Sequence, residues 1–458
     1  MDLQERISAY LVYYPVGWLY AGDIAGARRR LEKLEREPRE LRDARKLAAL
    51  RTLVDHARGT VPHWREAGLP ASADLRALTD VARLPFTEKA AIQEHPQAFL
   101  STAKLGRLVP KTSAGSTGAP LTIWKTRPAM TLELAATWRA YGWAGIRVGD
   151  RRGLFWGVPH GARAQRRARM IDAVCNRRRV SAFRLDAASL DEALARLRRF
   201  RPRWLYGYTT VLCEFAEHLR RRGEVPGFKV ACIVSTAELL TKARRRLLEE
   251  VFATRVYDEY GCGEVGSIAH ECEAGRLHIC DENMLVEVIA DGRPCVPGET
   301  GEIVVTELNN HALPLIRYRL GDFASLAAAP CPCGRTLGVI ENIHGRVMDV
   351  LVDRRGRRFH GERVTYLVEE AAARGLDVRQ FQCVQEAVDH FRIRLVPGNA
   401  DVGAVVRYLE MRFREEIDPE ARFEFEVVEA IARTPSGKLR VIIGLETPAV
   451  RLAGGEQD

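Results

Sequence analysis

A run of small and hydroxyl-bearing residues, TSAGSTGAP at residues 112–120, has the composition of a phosphate-binding loop. Its glycines leave successive backbone N–H groups unobstructed, and its Ser and Thr hydroxyls add further donors. The loop lacks the Gly-Lys-Ser/Thr ending of a Walker A motif, so it would hold phosphates in a different way. The predicted phosphate-binding residues are Ser113, Gly115, Ser116, Thr117 and Gly118. An ordinary surface loop is the alternative.

Two acidic residues follow tight glycine turns further along the chain. Glu264 lies in YDEYGCGEVG at residues 257–266, directly after a predicted strand. Ligands of α/β sheets bind beyond the carboxyl ends of the strands, and Mg²⁺ prefers carboxylate and phosphate oxygens, so Glu264 is a predicted Mg²⁺ ligand. Asp322 lies in YRLGDFA at residues 318–324 and is suited to accept two hydrogen bonds from a ribose diol. Most single Gly-Asp turns are purely structural.

Two basic residues stand in short motifs of the last part of the chain. Arg346, in GRVMDVLV, lies close to the start of the predicted last domain, and Lys438, in RTPSGKLRV, lies near the C-terminus. The chain contains only nine lysines among its 70 basic residues. A lysine kept on a Pro-Ser-Gly turn in such an arginine-rich chain indicates that a compact ammonium group is needed there. A chance surface lysine is the alternative.

A cluster of cysteine and histidine motifs predicts a metal site. A rigid Cys-Pro-Cys pair and a Cys-x5-His pair, CEAGRLH, together supply three thiolates and one imidazole, which suits a closed tetrahedral zinc site with a structural role. The predicted ligands are Cys272, His278, Cys331 and Cys333. His270 and Cys280 are competing ligands, and free thiols are the remaining alternative.

The elements that must position these residues follow from hydrophobic patterning. Between about residues 130 and 260, short apolar strands alternate with helical stretches, which is the βαβ signature of a mainly parallel sheet. Past residue 275, strands are broken by Asp-Gly and Pro-Gly turns, and the last 110 residues mix strands with amphipathic helices. We expect an α/β fold with a β-rich subdomain and a small, mobile α+β C-terminal domain. The predicted divisions are a helical segment at 1–80, a large domain at 81–344 and a small domain at 345–458.

Local signals refine the first third of the chain. Residues 23–80 have helical spacing and many charge pairs, and Thr87 is predicted to cap a helix with Glu88 and Lys89 in its first turn. The segments GRLVPK and LTIWKT on either side of the hydroxyl loop are predicted strands.

Bulk composition limits the function classes. The 458 residues exceed one ordinary core, and the net charge is +10. Arginine is spread along the whole chain without aromatic–basic interleaving, which disfavours the alternative of a zinc-stabilised nucleic-acid-binding protein. The apolar run at residues 7–22 is too short to span a bilayer and contains Pro15. We expect a helix packed on the body of a cytoplasmic protein, with loose membrane association as the alternative.

Taken together, the order and spacing of the loop, the two acidic motifs and the two basic motifs resemble the adenylate-forming superfamily of acyl-CoA synthetases, adenylation domains and luciferases. Within it, the chain is most similar to the phenylacetate–CoA ligase branch and its capsule-biosynthesis-type relatives. The resemblance implies that residues 113–118 hold the ATP phosphates and that Glu264 binds Mg²⁺. It also implies that Asp322 holds the ribose beside Arg346, and that Lys438 bridges the carboxylate and the α-phosphate.

The resemblance also implies where the nucleotide and the acid would bind. The residues expected around the nucleotide are Ala237, Glu238, Glu259, Tyr260 and Gly261, in addition to those named above. The residues expected around the acyl group are Trp156, His160, Tyr206, Tyr208, Tyr260 and Gly261. Their aromatic share suggests an aryl or otherwise flat acid, although core packing uses the same residue types.

The implied activity is ATP-dependent conversion of a carboxylic acid to an acyl-adenylate, with release of pyrophosphate, followed by transfer to coenzyme A. An amine or a carrier-protein thiol is the alternative acceptor, and His160 could serve as a base for an amine. No stable membrane insertion is expected, and a homodimer is possible in this branch. Three departures from the family pattern, Ala119, Gly263 and Met348, leave a non-catalytic scaffold as a further alternative.

Overall fold

The computed structural model divides the chain into two compact units, which are described separately. It describes residues 3–112, 121–157, 162–346, 350–354, 358–360, 362–433 and 439–445. The larger unit comprises Met1–Ile289, Arg293–Leu320 and Ser325–Glu341. The smaller unit comprises Ala290–Gly292, Gly321–Ala324 and Asn342–Asp458.

Helices form most of the first hundred residues, as the charge pairs and helical spacing predicted. They are α1 (Leu3–Arg6), a π-helix (Ile7–Tyr13), α2 (Tyr14–Ala21), α3 (Ile24–Leu34), α4 (Arg39–Thr60), α5 (Pro62–Glu66), two 3₁₀-helices (Ser72–Asp74 and Leu78–Arg83) and α6 (Lys89–Glu94). Asp23 caps α3 by accepting a hydrogen bond from the N–H of Gly26. The apolar faces of α4 and α5 pack, through residues such as Leu53 and Trp64, against Leu285 and Ile316 of the sheet region.

The prediction that Thr87 caps α6 is wrong. The helix begins at Lys89, and Glu88 occupies its cap position, where its side chain makes no capping hydrogen bond and instead accepts from Arg319. The Thr87 hydroxyl instead donates to the carbonyl of Ile316 at 2.5 Å, and Thr87 forms an isolated bridge with Tyr318. A buried main-chain partner from a distant segment therefore outweighs the local capping signal.

An antiparallel hairpin flanks the hydroxyl loop, as the sequence predicted. It consists of β1 (Leu108–Thr112) and β2 (Thr122–Thr126). In this pair Leu108 lies opposite Thr126 and Thr112 lies opposite Thr122, so the two strand ends that flank the hydroxyl loop are side by side. The following helix α7 (Arg127–Trp143) is capped by the Thr126 hydroxyl, which accepts from the N–H of Ala129.

The predicted βαβ alternation is confirmed in the next segment. Its strands are β3 (Arg152–Trp156), β4 (Arg177–Ser181), β5 (Trp204–Tyr208), β6 (Cys232–Thr236) and β7 (Val256–Cys262). Its helices are α8 (Ala162–Val174), α9 (Ala187–Phe200), α10 (Thr209–Arg221) and α11 (Lys242–Phe252). The strands pair in parallel in the order β4-β3-β5-β6-β7. Their carboxyl ends therefore share one edge of the sheet.

The strand-rich second half of the large domain, predicted as a β-rich subdomain, continues the parallel strands in the same sheet without a break. Its strands are β8 (Gly266–Glu271), β9 (Leu277–Ile279), β10 (Met284–Ala290), β11 (Arg293–Pro294), β12 (Gly301–Glu307), β13 (Tyr318–Leu326) and β14 (Val339–Arg346). The complete order is β11-β10-β12-β13-β14-β9-β8-β7-β6-β5-β3-β4. The pairs β7–β8, β8–β9 and β9–β14 are antiparallel. The α/β class is confirmed, with a mixed sheet.

The smaller unit has the α+β composition expected of the C-terminal region. Its elements are β15 (Val350–Val352), β16 (Arg358–His360), α12 (Glu362–Ala373), β17 (Val378–Ala387), β18 (His390–Pro397), α13 (Val402–Glu416), β19 (Arg422–Val427) and β20 (Ile442–Ile443). A four-stranded sheet, in the order β19-β18-β17-β20, packs its apolar face on residues of both helices, including Leu367 and Phe413.

Within the described part of the chain, no helix combines the length and the apolar character needed to cross a membrane.

Candidate active site and Cys/His cluster

The turn that carries Glu264 connects β7, the last parallel strand, to the antiparallel β8. Cys262 and Gly266 pair across it, and Glu264 is buried within it. Gly266 has a φ of +92°, and a Cβ there would lie 2.4 Å from the Glu133 carboxyl group. Glycine is therefore required at this position by both backbone conformation and space. The turn fixes a carboxylate at the edge of the sheet where ligands of this fold class bind.

A lysine from α6 faces this carboxylate. The Nζ of Lys89 lies 3.3 Å from Oε1 of Glu264. Burial raises the pKa of Glu264, but the charge of Lys89, with further hydrogen bonds, outweighs it and lowers the pKa below its usual value. Glu264 is thus held as a carboxylate, which is the form that ligates a divalent cation.

A buried charge cluster ties the β1–β2 hairpin to the Glu264 turn. Lys125 of β2 is fully buried, and its Nζ donates to Glu133 at 2.8 Å and Glu307 at 2.6 Å. The same ammonium group donates to the carbonyl of Val265, the residue after Glu264, at 2.8 Å. Lys111 of β1 contacts the other oxygen of Glu133 at 2.5 Å. Both strands that flank the hydroxyl loop are therefore bonded into the surroundings of the predicted Mg²⁺ ligand.

The sequence predicted no site role for Lys89, Lys111 and Lys125, nor for the carboxylates Glu133 and Glu307. A signal was present, because all three belong to the nine lysines of an arginine-rich chain, the argument that singled out Lys438. The carboxylate partners are 8 and 182 residues away from Lys125, so no local pattern predicts those pairs.

Several of the predicted site residues lie outside the described residues. They are Ser113, Gly115, Ser116, Thr117, Gly118, His160 and Lys438. The departures Ala119 and Met348 lie outside them as well. Arg346 is the last residue of β14, and Asp322 is buried on β13. The roles of all these residues stay predictions.

Three of the predicted aromatic acyl-group residues, Trp156, Tyr206 and Tyr208, come together at the carboxyl-terminal edge of the parallel strands. Trp156 ends β3 and Tyr208 ends β5, and their rings are 4.1 Å apart between centroids. Tyr206 stacks on the same indole with centroids 5.6 Å apart and planes 15° from parallel. Burial raises the pKa of both tyrosines far above their usual value, so both phenols are neutral.

The predicted nucleotide residues surround the ends of β6 and β7. Ala237 follows β6 in the left-handed region with a φ of +69°. The Glu238 carboxylate accepts from the N–H of Thr210 at 2.7 Å, while Tyr260 and Gly261 lie on β7. Ala237 in a conformation that favours glycine marks a tight exit from the sheet.

The Glu259 carboxylate, by contrast, is committed to protein partners. It accepts from the Tyr141 hydroxyl at 2.8 Å and from the Ser267 hydroxyl at 3.0 Å. Burial raises the pKa of Glu259 in spite of these bonds. The Glu259 side chain therefore holds Tyr141 and Ser267 in place, and its predicted nucleotide contact stays a prediction.

The four predicted metal ligands converge. The donor atoms of Cys272, His278, Cys331 and Cys333 all lie within 4.8 Å of one another. The Cys272 and Cys331 sulfurs are 3.6 Å apart, and His278 Nε2 is 3.2 Å from the Cys333 sulfur. The competing residue His270 is buried without a hydrogen-bond partner for its Nε2, and neither it nor Cys280 belongs to the cluster.

The protonation chemistry of the cluster is divided: burial raises the pKa of the Cys331 thiol to about 12, so this thiol would release its proton on metal binding, whereas His278 and Cys333 already favour their metal-binding forms. Burial lowers the pKa of His278 to about 4, which keeps its imidazole neutral. Burial alone would raise the pKa of Cys333, but hydrogen bonds led by the N–H of Arg335 lower it and favour the thiolate. The N–H of Ala274 donates a hydrogen bond to the Cys272 sulfur at 3.4 Å. Three sulfurs and a neutral imidazole are the donor set of a closed zinc site.

Comparisons with known proteins agree on one group of relatives. Residues 351–444 match the family described as CapK C-terminal domain. A phenylacetate-coenzyme A ligase from Thermus thermophilus is 28% identical over 343 residues, 70% of this chain and 74% of that protein. Protein CapK from Staphylococcus aureus is 29% identical over 272 residues, 58% of each chain.

The fold is also found in solved structures. The crystal structure of 2-hydroxyisobutyryl-CoA ligase in the postadenylation state, in complex with 2-HIB-AMP, has a TM-score of 0.69. It is 21% identical in sequence and the match covers 90% of this chain and 91% of that one. This likeness extends across both the mixed sheet and the C-terminal region.

Proposed function

Because the chain belongs to the adenylate-forming superfamily, in its phenylacetate–CoA ligase-like branch, we propose that it activates a carboxylic acid with ATP. The acid becomes an acyl-adenylate with release of pyrophosphate, and the acyl group then passes to coenzyme A. The enzyme is an AMP-forming acid–thiol ligase. The cytoplasm, where ATP and CoA are both available, is its expected location.

The observation that carries the proposal is the double attachment made by Lys125. Its ammonium group joins the β2 strand, which follows the hydroxyl loop, to the carbonyl next to Glu264. ATP activation needs a phosphate-binding loop and a cation-binding carboxylate close to each other. The Lys125 cluster bonds the strand that follows the loop to the turn that carries the carboxylate. Glu264, ionised and buried, is suited to hold Mg²⁺, which would neutralise phosphate charge when bound.

In the first half-reaction, a carboxylate oxygen of the substrate attacks the α-phosphorus of ATP. A new P–O bond forms, the bond to the bridging oxygen breaks, and pyrophosphate leaves with that electron pair. We assign Lys438 the role of bridging the carboxylate and the α-phosphate. Asp322 holds the ribose diol with Arg346 beside it, and residues 113–118 hold the phosphates. The work is positioning and charge stabilisation, without a covalent enzyme intermediate.

In the second half-reaction, the thiol sulfur of CoA attacks the acyl carbon, and AMP leaves with the electrons of the acyl–phosphate bond while the thiol proton passes to solvent or a base. We propose the division at 1–80, 81–344 and 345–458, with the small domain moving between the two steps. An amine or a carrier-protein thiol is the alternative acceptor.

The aromatic cluster supports a flat acid as the substrate. The partly exposed ring of Trp156, which lies 4.1 Å from the ring of the buried Tyr208, forms the surface at the strand edge on which we propose that an aryl ring stacks. Next to the aromatic cluster, the hydrogen bond from the Tyr141 hydroxyl to Glu259 fixes the positions of these two side chains. We propose that this surface binds the acyl part.

The Cys/His cluster is proposed to hold a structural zinc ion. All four ligand positions are filled by protein groups, which leaves no open position for catalysis. Cys272 follows β8, His278 lies on β9, and the other two cysteines lie between β13 and β14, so the metal would join three parts of the sheet.

A mass-spectrometric screen tests the proposed reaction. Purified protein, Mg·ATP and a panel of aryl and aliphatic acids are incubated with CoA, with an amine mixture, or with neither. An acyl-CoA product identifies the ligase and its substrate. Amide or acyl-AMP without any thioester would assign the protein to the alternative acceptor class, and absence of AMP with every acid would contradict the proposal.

A pair of lysine variants tests the assigned role of Lys438. Lys438→Ala should lower pyrophosphate exchange by roughly 10²- to 10³-fold without unfolding, because one charge-stabilising donor is lost. Lys229→Ala removes an exposed lysine elsewhere and is the matched control. Equal exchange rates in the two variants would remove Lys438 from the mechanism.

A further inference from the structure

The N-terminal segment, residues 7–21, has one buried face and one exposed apolar face. Ser8, Ala9 and Ala21 are buried against the body of the larger unit. The remaining surface of the same segment exposes large apolar side chains, with exposed fractions between 44% and 71%. These side chains are Ile7, Tyr10, Leu11, Val16, Trp18, Leu19 and Tyr20. So many exposed large apolar residues in 14 consecutive positions indicate an interaction site.

A second helix extends this apolar area. The Ser8 hydroxyl donates to the carbonyl of Val174 at 3.1 Å, so the N-terminal segment contacts the end of α8. Helix α8 exposes Met170 at 70%, together with Ile171 and Val174. We call the exposed apolar side chains of residues 7–20 and of α8 the N-terminal apolar surface.

Positive charge accompanies the N-terminal apolar surface. Helix α8 exposes Arg163, Arg166, Arg167 and Arg169. Its only acidic residue, Asp172, is buried and bonded to Arg177 and Arg179, so it does not offset these charges at the surface. A further exposed arginine, Arg6, precedes the π-helix. The result is an apolar area next to basic groups.

We propose that the N-terminal apolar surface adsorbs the protein to an anionic lipid bilayer. Amphipathic helices with an apolar face and arginine on the polar face lie in the plane of the membrane interface. Trp18 and Tyr10 are the side-chain types that favour the headgroup level. The described helices are too short or too polar to span the bilayer, so the contact is peripheral.

A second copy of the chain fits this surface less well. A twofold dimer brings the same patch of both subunits together, so the arginines of α8 on one subunit would approach those of the other. Anionic headgroups instead neutralise them, and each such basic group contributes roughly 1 kcal/mol to binding near the membrane, about a fivefold change. Charge complementarity therefore selects the lipid surface.

Vesicle flotation with the full-length protein tests the proposal. Vesicles of pure phosphatidylcholine are compared with vesicles that contain about one third phosphatidylglycerol, at low and high salt. We expect binding to the anionic vesicles only, weakened by salt because the Debye length shortens. Equal binding to both lipids, or none to either, would overturn the proposal.

Matched variants assign the binding to this surface. Arg167→Glu should weaken binding roughly tenfold or more, since two charges change near the membrane. Leu11→Ser with Leu19→Ser should weaken it at least as much. The controls, Arg246→Glu and Val225→Ser, alter equally exposed positions elsewhere and should bind as the wild type does. Circular dichroism confirms that each variant is folded.

Two further outcomes would contradict the assignment. If the surface variants bind vesicles as tightly as the controls, the N-terminal apolar surface is not the lipid contact. If sedimentation shows a dimer that Leu11→Ser with Leu19→Ser dissociates, the surface belongs to a second copy. Neither result bears on acid activation, which is measured without vesicles.

Discussion

Replacement of Lys125 by methionine should destabilise the larger unit strongly, because this lysine is the centre of a fully buried charge cluster. Methionine has a similar length and fills the space, so packing changes little. The variant removes three donated hydrogen bonds, to Glu133, Glu307 and the carbonyl of Val265. The carboxylates then remain buried with less positive charge nearby.

The magnitude follows from which carboxylate loses its partner. Glu133 keeps Lys111 at 2.5 Å, whereas Glu307 keeps only a hydrogen bond from Asn310 at 3.3 Å. One uncompensated buried charge is therefore created, and removing one partner of a buried pair costs about 3–5 kcal/mol. Lys125→Met combined with Glu307→Gln removes that charge, so it should recover most of the loss.

Urea unfolding monitored by tryptophan fluorescence measures this effect. All seven tryptophans lie between residues 18 and 204, within the larger unit, so the signal reports on that unit alone. We expect a decrease in the free energy of unfolding of about 3–5 kcal/mol for Lys125→Met. Lys229→Met, at an exposed position, should stay within about 0.5 kcal/mol of the wild type.

The pH dependence of the free energy of unfolding can refute the charge-cluster argument. Burial already raises the pKa of Glu307 with Lys125 present, and removal of the lysine must raise it further. A carboxyl group with a raised folded pKa destabilises the fold when ionised, so the defect of Lys125→Met should shrink as pH falls toward 5. A defect below about 1 kcal/mol, or one unchanged between pH 5 and 8, would refute the charge-cluster argument.

Three other changes have defined outcomes. Cys331→Ser should abolish the binding of about one zinc per chain, measured by elemental analysis, whereas Cys295→Ser should retain it. Burial, with the nearby charge of Glu271, raises the pKa of Asp258 to about 7, so ionisation of this carboxyl group destabilises the fold increasingly from pH 4 to 7. In urea unfolding, the free energy of unfolding of Asp258→Asn should therefore rise relative to that of the wild type by up to about 4 kcal/mol across that interval. A difference between the two proteins that stays constant with pH would contradict this. Trp156→Ala should lower kcat/KM for flat acids roughly tenfold more than for branched aliphatic ones, and equal losses would exclude stacking.

The sequence predicted those features that depend on local pattern. The alternation of strands and helices after residue 130 identified β3–β7 because buried parallel strands and amphipathic helices have different hydrophobic periods. The strands around the hydroxyl loop were also predicted, from their β-branched residues. The four residues of the Cys/His cluster were found from spacing, since a Cys-x-Cys pair and a Cys-x5-His pair each bring two donor side chains close together.

Features that depend on distant partners were not predicted. Thr87 has a good capping sequence, yet its hydroxyl is used by Ile316, 229 residues away. From the sequence alone, Lys125 is an ordinary strand residue, because its partner Glu307 becomes apparent only in the folded structure. The continuous sheet has the same origin, because β14 pairs with β9 through a register that neither strand encodes alone. Local propensity decides the type of element, while long-range packing decides its partners.

The two clusters act on opposite ends of one strand. β8 begins directly after Val265, whose carbonyl accepts from Lys125, and ends directly before Cys272. Between these ends β8 is paired with β7 on one side and with β9 on the other, so its six residues cannot shift without breaking both ladders. Thiolate ligation at Cys272 would oppose a slip of β8 along β7, and the Lys125 cluster opposes it at the other end. Loss of the metal should therefore loosen the Glu264 turn less than loss of Lys125, because Lys125 bonds to the residue after Glu264, whereas Cys272 lies at the far end of the strand.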